Sequence, residues 1–296
     1  MESKPQSALA SLLTPGGFVL LWSTGFIVAR AAAPHADLSL FLGLRFLLAA
    51  ALLAAIAAAL RRSWPRGWRA WAHVGIGCLM HGLYLVTGYA AIHLGLAVGI
   101  MALIGGLQPI VAAGLATLLG GRASAGLWIG LCLGFLGLSL TLAPGISMAP
   151  GAAFPIAALG LAFVGVLSLS VAAVCQERIG RGDDLVAVSA LQHAGGAAVA
   201  LLAAVAFGTL AWDNAPALWL SFAWATLGIS LVAVGLLIAL IRQDGAARAS
   251  ALLLLVPPFA ALQGWLLFGE RLSLPQIVGF ILALTGVWLA RKKESP

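Results

Sequence analysis

The sequence predicts an all-α integral membrane protein of ten transmembrane helices, arranged as two inverted five-helix repeats. Three observations carry that prediction. The 296 residues are 62% hydrophobic and 8% charged, with a mean hydropathy of +1.08, whereas a soluble domain has about 25% charged residues. Charged, proline and glycine corners divide the chain into ten apolar runs, most of them reaching the roughly 20 residues that a helix needs to cross ~30 Å of hydrocarbon. Finally, residues 102–137 recur at 251–286 with an offset of 149, which lays Pro109 on Pro258, Gly120 on Gly269, Arg122 on Arg271, Ser124 on Ser273, Gly130 on Gly279 and Gly137 on Gly286.

The first run, 15–33, ends in Ala31-Ala32-Ala33 and mimics a signal peptide with its cleavage site. Its removal would leave nine spans and spoil the five-plus-five arrangement, so it is expected to stay as a helix. The second, 37–60, begins at Asp37 and carries Arg45. In the third, 70–92, Gly77, His81, Tyr84 and Gly88 fall at i, i+4, i+7 and i+11, a polar and small stripe suited to lining a cavity. Pro109 interrupts the fourth, 95–119, which ends at Gly120-Gly121-Arg122. The fifth, 124–143, has Gly126, Gly130 and Gly134 at the small-xxx-small spacing that brings helix backbones close. A proline- and glycine-containing linker, 144–152, separates the first repeat, 1–143, from the second, 153–296. The sixth to tenth runs are 153–176, 184–208, 214–240, 247–268 and 273–290; Pro258 interrupts the ninth, and Gly279, Ala283 and Gly286 space the tenth. Packing between the fifth and tenth helices is the expected use of these ridges, and a homodimer interface is the alternative.

Five crossings per repeat turn the second copy upside down relative to the first, so the two enclose a central cavity built alike from both faces. With ten spans, both termini and the even-numbered connections share one side. That side collects thirteen of the sixteen basic residues, leaving Arg30, Arg45 and Arg271. The asymmetry predicts a bacterial inner-membrane protein with cytoplasmic N- and C-termini. It also explains the pI near 10.2 without nucleic acid, which is not an expected partner. Cys78, Cys132 and Cys175 lie inside spans without a CxxC pair and read as small apolar fillers. No cofactor or metal is expected.

Trp22-Ser23-Thr24-Gly25-Phe26 with Arg30, Leu44-Arg45-Phe46, Pro109 before Gly120-Gly121-Arg122, and Pro258 before Gly269-Glu270-Arg271 stand in order along the chain. In this the chain resembles the drug/metabolite transporter superfamily, specifically its ten-helix EamA-type branch, over nearly its whole length. The resemblance implies movement of amino acids or related small metabolites, usually outward across the bacterial inner membrane. Two departures stand out: Gly121 replaces the usual acid that Glu270 keeps, and Phe163 to Cys175 lacks the frequent tryptophan of the sixth span, which argues against a specifically aromatic substrate.

Charged groups within a bilayer are costly and point to function. Arg45 lies eight residues past Asp37, about 12 Å deep, where it can bond carbonyls or a substrate carboxylate. No Asp or Glu occupies the middle of a span, which argues against exchange of cations for protons. Trp22, His81, Tyr84, Gln108, Gln263 and Arg45 are therefore the expected substrate-binding residues, and Pro109 and Pro258 the gating kinks; each proline frees a carbonyl four residues earlier, near Gly105 and Leu254. The function expected is transport, by alternating access, of neutral or zwitterionic metabolites, with a small-molecule substrate and the lipid bilayer as partners. Monomer and homodimer stay open. Efflux of amphipathic drugs is the runner-up, followed by a scaffold or lipid-binding protein. A membrane enzyme built on Ser139 in Gly137-Leu138-Ser139-Leu140 with His193 is the remote alternative, and the chain is not expected to be an enzyme.

Overall fold

The computed structural model describes residues 8–145, 156–268 and 272–292, with side chains left out at 8–13, Phe26, Gly145, 267 and 268. Most of the linker and the corner Gly269-Glu270-Arg271 therefore lie outside the described residues. Within them there are ten helices long and apolar enough to cross a membrane. The first repeat contains α1 (Ala8–Ala32), α2 (Leu38–Ala59), α3 (Trp68–His93), α4 (Val98–Leu118) and α5 (Ala125–Leu142). In the second are α6 (Ile156–Ile179), α7 (Leu185–Phe207), α8 (Pro216–Asp244), α9, which starts at Ala246 and ends at Phe268, and α10 (Leu274–Arg291).

Local chemistry repeats with the fold. Asp37 caps α2 by accepting the N–H groups of Ser39 and Leu40, and Asp184 caps α7 by accepting those of Val186 and Ala187. Each cap satisfies donors that a helix start leaves unpaired. Ser124 and Ser273 cap α5 and α10. The short α3–α4 and α8–α9 connections turn on Gly95 (φ 94°) and Gly245 (φ 86°), left-handed positions that a side chain would strain.

Irregular backbone repeats too. In α3, a π-helical segment, Cys78–Leu83, follows ten regular residues; in α8, Ala225–Ala233 follows nine. The fourth helix of each repeat is broken. Val98–Gly105 and Gln108–Leu118 make up α4, whereas α9 passes from Ala246–Ala251 through a tight 3-10 turn, Leu252–Leu255, into Val256–Phe268. The proline series explains both breaks, because Pro109, Pro257 and Pro258 supply no backbone donor to the preceding turn.

The fifth and tenth helices form a seam at backbone contact. A Cβ on Gly137 would lie 2.5 Å from the Gly279 oxygen and a Cβ on Gly279 2.5 Å from the Gly137 oxygen; Gly130 and Gly286 repeat the relation at 2.6 and 2.7 Å. The glycine ridges thus pack internally, on each other. Gly126 stands apart: among the described residues, a Cβ there would meet only the Ser124 hydroxyl, at 3.7 Å, outside its own helix backbone. A second close pair joins α3 to α7, where Gly77 and Gly195 each admit the other helix's backbone.

Candidate functional site

Within the spans the polar residues are tied into three interhelical knots. The first joins α2, α3, α7 and α8. Arg45 Nε donates to Ser230 Oγ at 2.8 Å, and its guanidinium carbon stands 5.1 Å from the Phe46 ring centre. Phe46 packs on both His81 (5.6 Å) and His193 (5.8 Å), and the two imidazoles stack at 4.7 Å. His193 Nδ1 bonds the Ser189 carbonyl, so Nδ1 carries the proton and Nε2 is left as an acceptor. Among the described residues, Nε2 of both histidines is buried without a partner. The π segments build this knot, for both His81 and Ser230 sit in them.

A second knot holds α4, α6 and α9: Gln108 Nε2 donates to Ser250 Oγ at 3.2 Å, and Ser170 Oγ donates to the Gln108 carbonyl at 3.2 Å. In the third, Gln263 Nε2 on α9 donates to Ser23 Oγ (2.9 Å) and the Leu20 carbonyl (3.1 Å) on α1. The side-chain oxygens of Gln108 and Gln263 are buried acceptors with no partner among the described residues.

Of the expected residues, Arg45 and His81 meet in the first knot, while Gln108 and Gln263 mark the second and third. Trp22 lies beside the third, its ring 5.2 Å from Phe18 and packed against two of the apolar clusters. Tyr84 packs against the main apolar cluster. The α3 stripe does not stay on one face: Gly77 and His81 lie against α7, whereas Gly88 lies against Met101 of α4 and Thr87 against Gly165 of α6. The intervening π segment rotates the helix, which explains the split. Pro109 sits in the first turn of the second half of α4, and Pro258 three residues after the α9 turn. Sequence reasoning passed over Ser230, Ser250 and Ser170 and left His193 outside its set. Serines are frequent in these spans, and no local spacing marks the ones that face a distant glutamine or arginine.

The two ends of the frame differ. On the side of the termini, the second half of α4 packs against the start of α9, and the start of α9 and the end of α8 pack against α6. Among the described residues, the symmetry-related pairs on the other side, Val98–Gly105 with Val256–Phe268 and with α1, and Tyr84–His93 with α1, share no comparable packing. Charge reinforces the closed end. Asp183 accepts Arg69 Nη2 at 2.8 Å and His73 Nε2 at 2.9 Å, while its carbonyl accepts Arg242. Glu177 accepts the Ala246 N–H at 2.9 Å, joining α6 to α9, and Arg291 pairs with Asp244 at 2.8 Å. Burial works against the Asp183 charge, but the bonds from Arg69 and His73 outweigh it and hold the carboxyl below its usual range. Opposite, His35 Nδ1 lies 2.7 Å from Asp213, and that hydrogen bond, with the one from the Ala215 N–H, lowers the exposed Asp213 carboxyl.

Broken helices at matching places in two inverted repeats are a transporter's architecture. The sequence model of the EamA-like transporter family matches residues 16–143 and 156–291, one stretch in each repeat. This chain belongs to the EamA-like transporter family. It is accordingly a multi-pass membrane protein that transports small molecules. It is also similar to an uncharacterized transporter of Synechocystis sp., 26% identical over 99% of this chain and 93% of that one. A solved crystal structure matches with a TM-score of 0.79 at 20% identity, covering 94% of this chain and 96% of that chain; at that identity the likeness speaks for the fold.

Proposed function

We propose that this transporter works by alternating access on neutral or zwitterionic metabolites, amino acids first among them, in a bacterial inner membrane with both termini cytoplasmic. The observation that carries the reading is the asymmetric closure of a symmetric frame. Gln108–Ser250 joins the second half of α4 to the start of α9 and Glu177–Ala246 joins α6 to that start, both on the termini side, whereas among the described residues the symmetry-related elements opposite share no comparable packing. Exchange of the two packings between the repeats would reverse which side is open.

Substrate chemistry follows from the charges. Among the described residues no carboxylate lies at mid-span, and Arg45 is the buried cation there. Its Nε is taken by Ser230, which orients the outer edge of the guanidinium, the face that receives a carboxylate in two parallel hydrogen bonds. An ammonium group needs acceptors instead, and the side-chain oxygens of Gln108 and Gln263 with the carbonyls freed by Pro109 and Pro258 supply them.

The test is counterflow of a panel of radiolabelled amino acids into liposomes containing the purified protein, without an imposed proton gradient. Flux of neutral amino acids above empty liposomes is expected, with Arg45→Gln raising KM at least tenfold. No amino-acid flux, or flux only of amphipathic amines, overturns the substrate class.

A further inference from the structure

On the termini side, a cavity of about 270 Å³ is lined by Ala116 and Gly121 near the end of α4 and by Val174, Glu177, Arg178 and Arg181 near the end of α6. Two guanidinium groups share it with one carboxylate, and that carboxylate is already engaged by the Ala246 N–H. Arg178 Nη2 donates to the carbonyl of Leu119, and Arg181 is exposed.

The repeat makes the charge imbalance specific. In each repeat the first helix has an arginine in its last turn, Arg30 in α1 and Arg178 in α6. The corner after the fourth helix bears Glu270 in the second copy and Gly121 in the first. A Cβ on Gly121 would lie 2.7 Å from the Ala116 oxygen, so this corner as folded excludes an acidic side chain of its own. Beside the cavity, α4 ends in Leu118, 84% exposed, and Leu119, 53% exposed. At the end of a membrane-spanning helix such leucines face acyl chains.

We propose that this cavity binds the phosphate of an anionic phospholipid from the leaflet on the termini side, with Arg178 and Arg181 on the phosphate and an acyl chain along Leu118 and Leu119. Basic pockets between helices at this level recognise anionic head groups, and arginine suits phosphate geometry. A free phosphate ion shares the head-group chemistry but gains nothing from the leucines. Such a lipid would sit at the end of α4 on the termini side whatever substrate the protein carries.

Native mass spectrometry of the full-length protein with phosphatidylglycerol or phosphatidylcholine of matched chains tests it. One retained phosphatidylglycerol per chain is expected, at least fivefold preferred over phosphatidylcholine. Arg181→Gln weakens retention about fivefold with an unchanged melting temperature in phosphatidylcholine, and Arg66→Gln, an exposed cation that does not line the cavity, leaves it unaltered. Equal retention of both lipids, an equal loss in Arg66→Gln, or displacement of the lipid by millimolar sodium phosphate overturns the proposal.

Discussion

Replacing Gly137 by alanine tests the α5–α10 seam quantitatively. The added methyl lies 2.4 Å from the Ala283 nitrogen, 2.5 Å from the Gly279 oxygen and 2.9 Å from Ala283 Cα, whereas non-bonded heavy atoms settle near 3.5–4.0 Å. The obstructing atoms are backbone and cannot rotate away, so the helices must part by about 1 Å. Overpacking of this kind costs about 1–3 kcal/mol. Exchange of glycine for alanine also gains up to ~1 kcal/mol of helix propensity. Gly126→Ala isolates that gain, since its new methyl meets only the Ser124 hydroxyl at 3.7 Å. Thermal unfolding in detergent should therefore place Gly137→Ala below Gly126→Ala by about 1–3 kcal/mol. Gly279→Ala should cost a similar amount, and the double variant less than the sum, because one separation relieves both methyls. Equal stability of the Gly137 and Gly126 variants would refute a seam at backbone contact.

Other perturbations address the ends and the breaks. Asp183 has a folded-state pKa below its ordinary 3.8, so the stability it adds is complete above that value and is lost as pH falls through the depressed one. Melting of the wild type and Asp183→Asn should accordingly differ at neutral pH and converge below pH 3.8; a difference that persists undiminished in acid argues against the ion network. Ser250→Ala removes one neutral hydrogen bond from the closed end, about 0.5–1.5 kcal/mol, and should raise labelling of a cysteine placed at Ala116 by about two- to tenfold. Pro258→Ala restores a backbone donor after the 3-10 turn; several-fold slower flux with a melting temperature within a few degrees is expected, and unchanged flux removes the break from the mechanism.

The ten spans were legible because length and hydropathy suffice to mark them, and the sequence repeat gave their inverted pairing. Boundaries slipped where charge was taken as an end. Helix α8 runs on through Arg242 to Asp244, with Arg242 Nη1 donating to the Asp183 carbonyl and Asp244 accepting from Arg291. The breaks in α4 and α9 were visible as prolines, although in each the irregular turn precedes the proline. The π segments carry no such mark. Cys78–Leu83 contains no proline, and what accompanies it is tertiary: His81 stacked on His193, and Ser168 Oγ donating to the Leu79 carbonyl at 2.8 Å. For the same reason Arg45 was recognisable as costly while its partner, Ser230, was not. A hydroxyl 185 residues away leaves no local pattern.

The π segments also govern how the sequence can change length. A π turn accommodates one residue more than the α-helical ladder around it, and one residue is worth about 100° of helix rotation. Before Cys78, α3 presents Gly77 to α7; after Leu83 it presents Thr87 to α6 and Gly88 to α4. Deletion of a single residue from Cys78–Leu83 would leave an unbroken, more regular helix, yet it would turn one half against the other and aim Thr87 and Gly88 away from their neighbours. The segment acts as a phase setting between two half-helices, so single-residue insertions and deletions there are equivalent to rotating half of the transport frame.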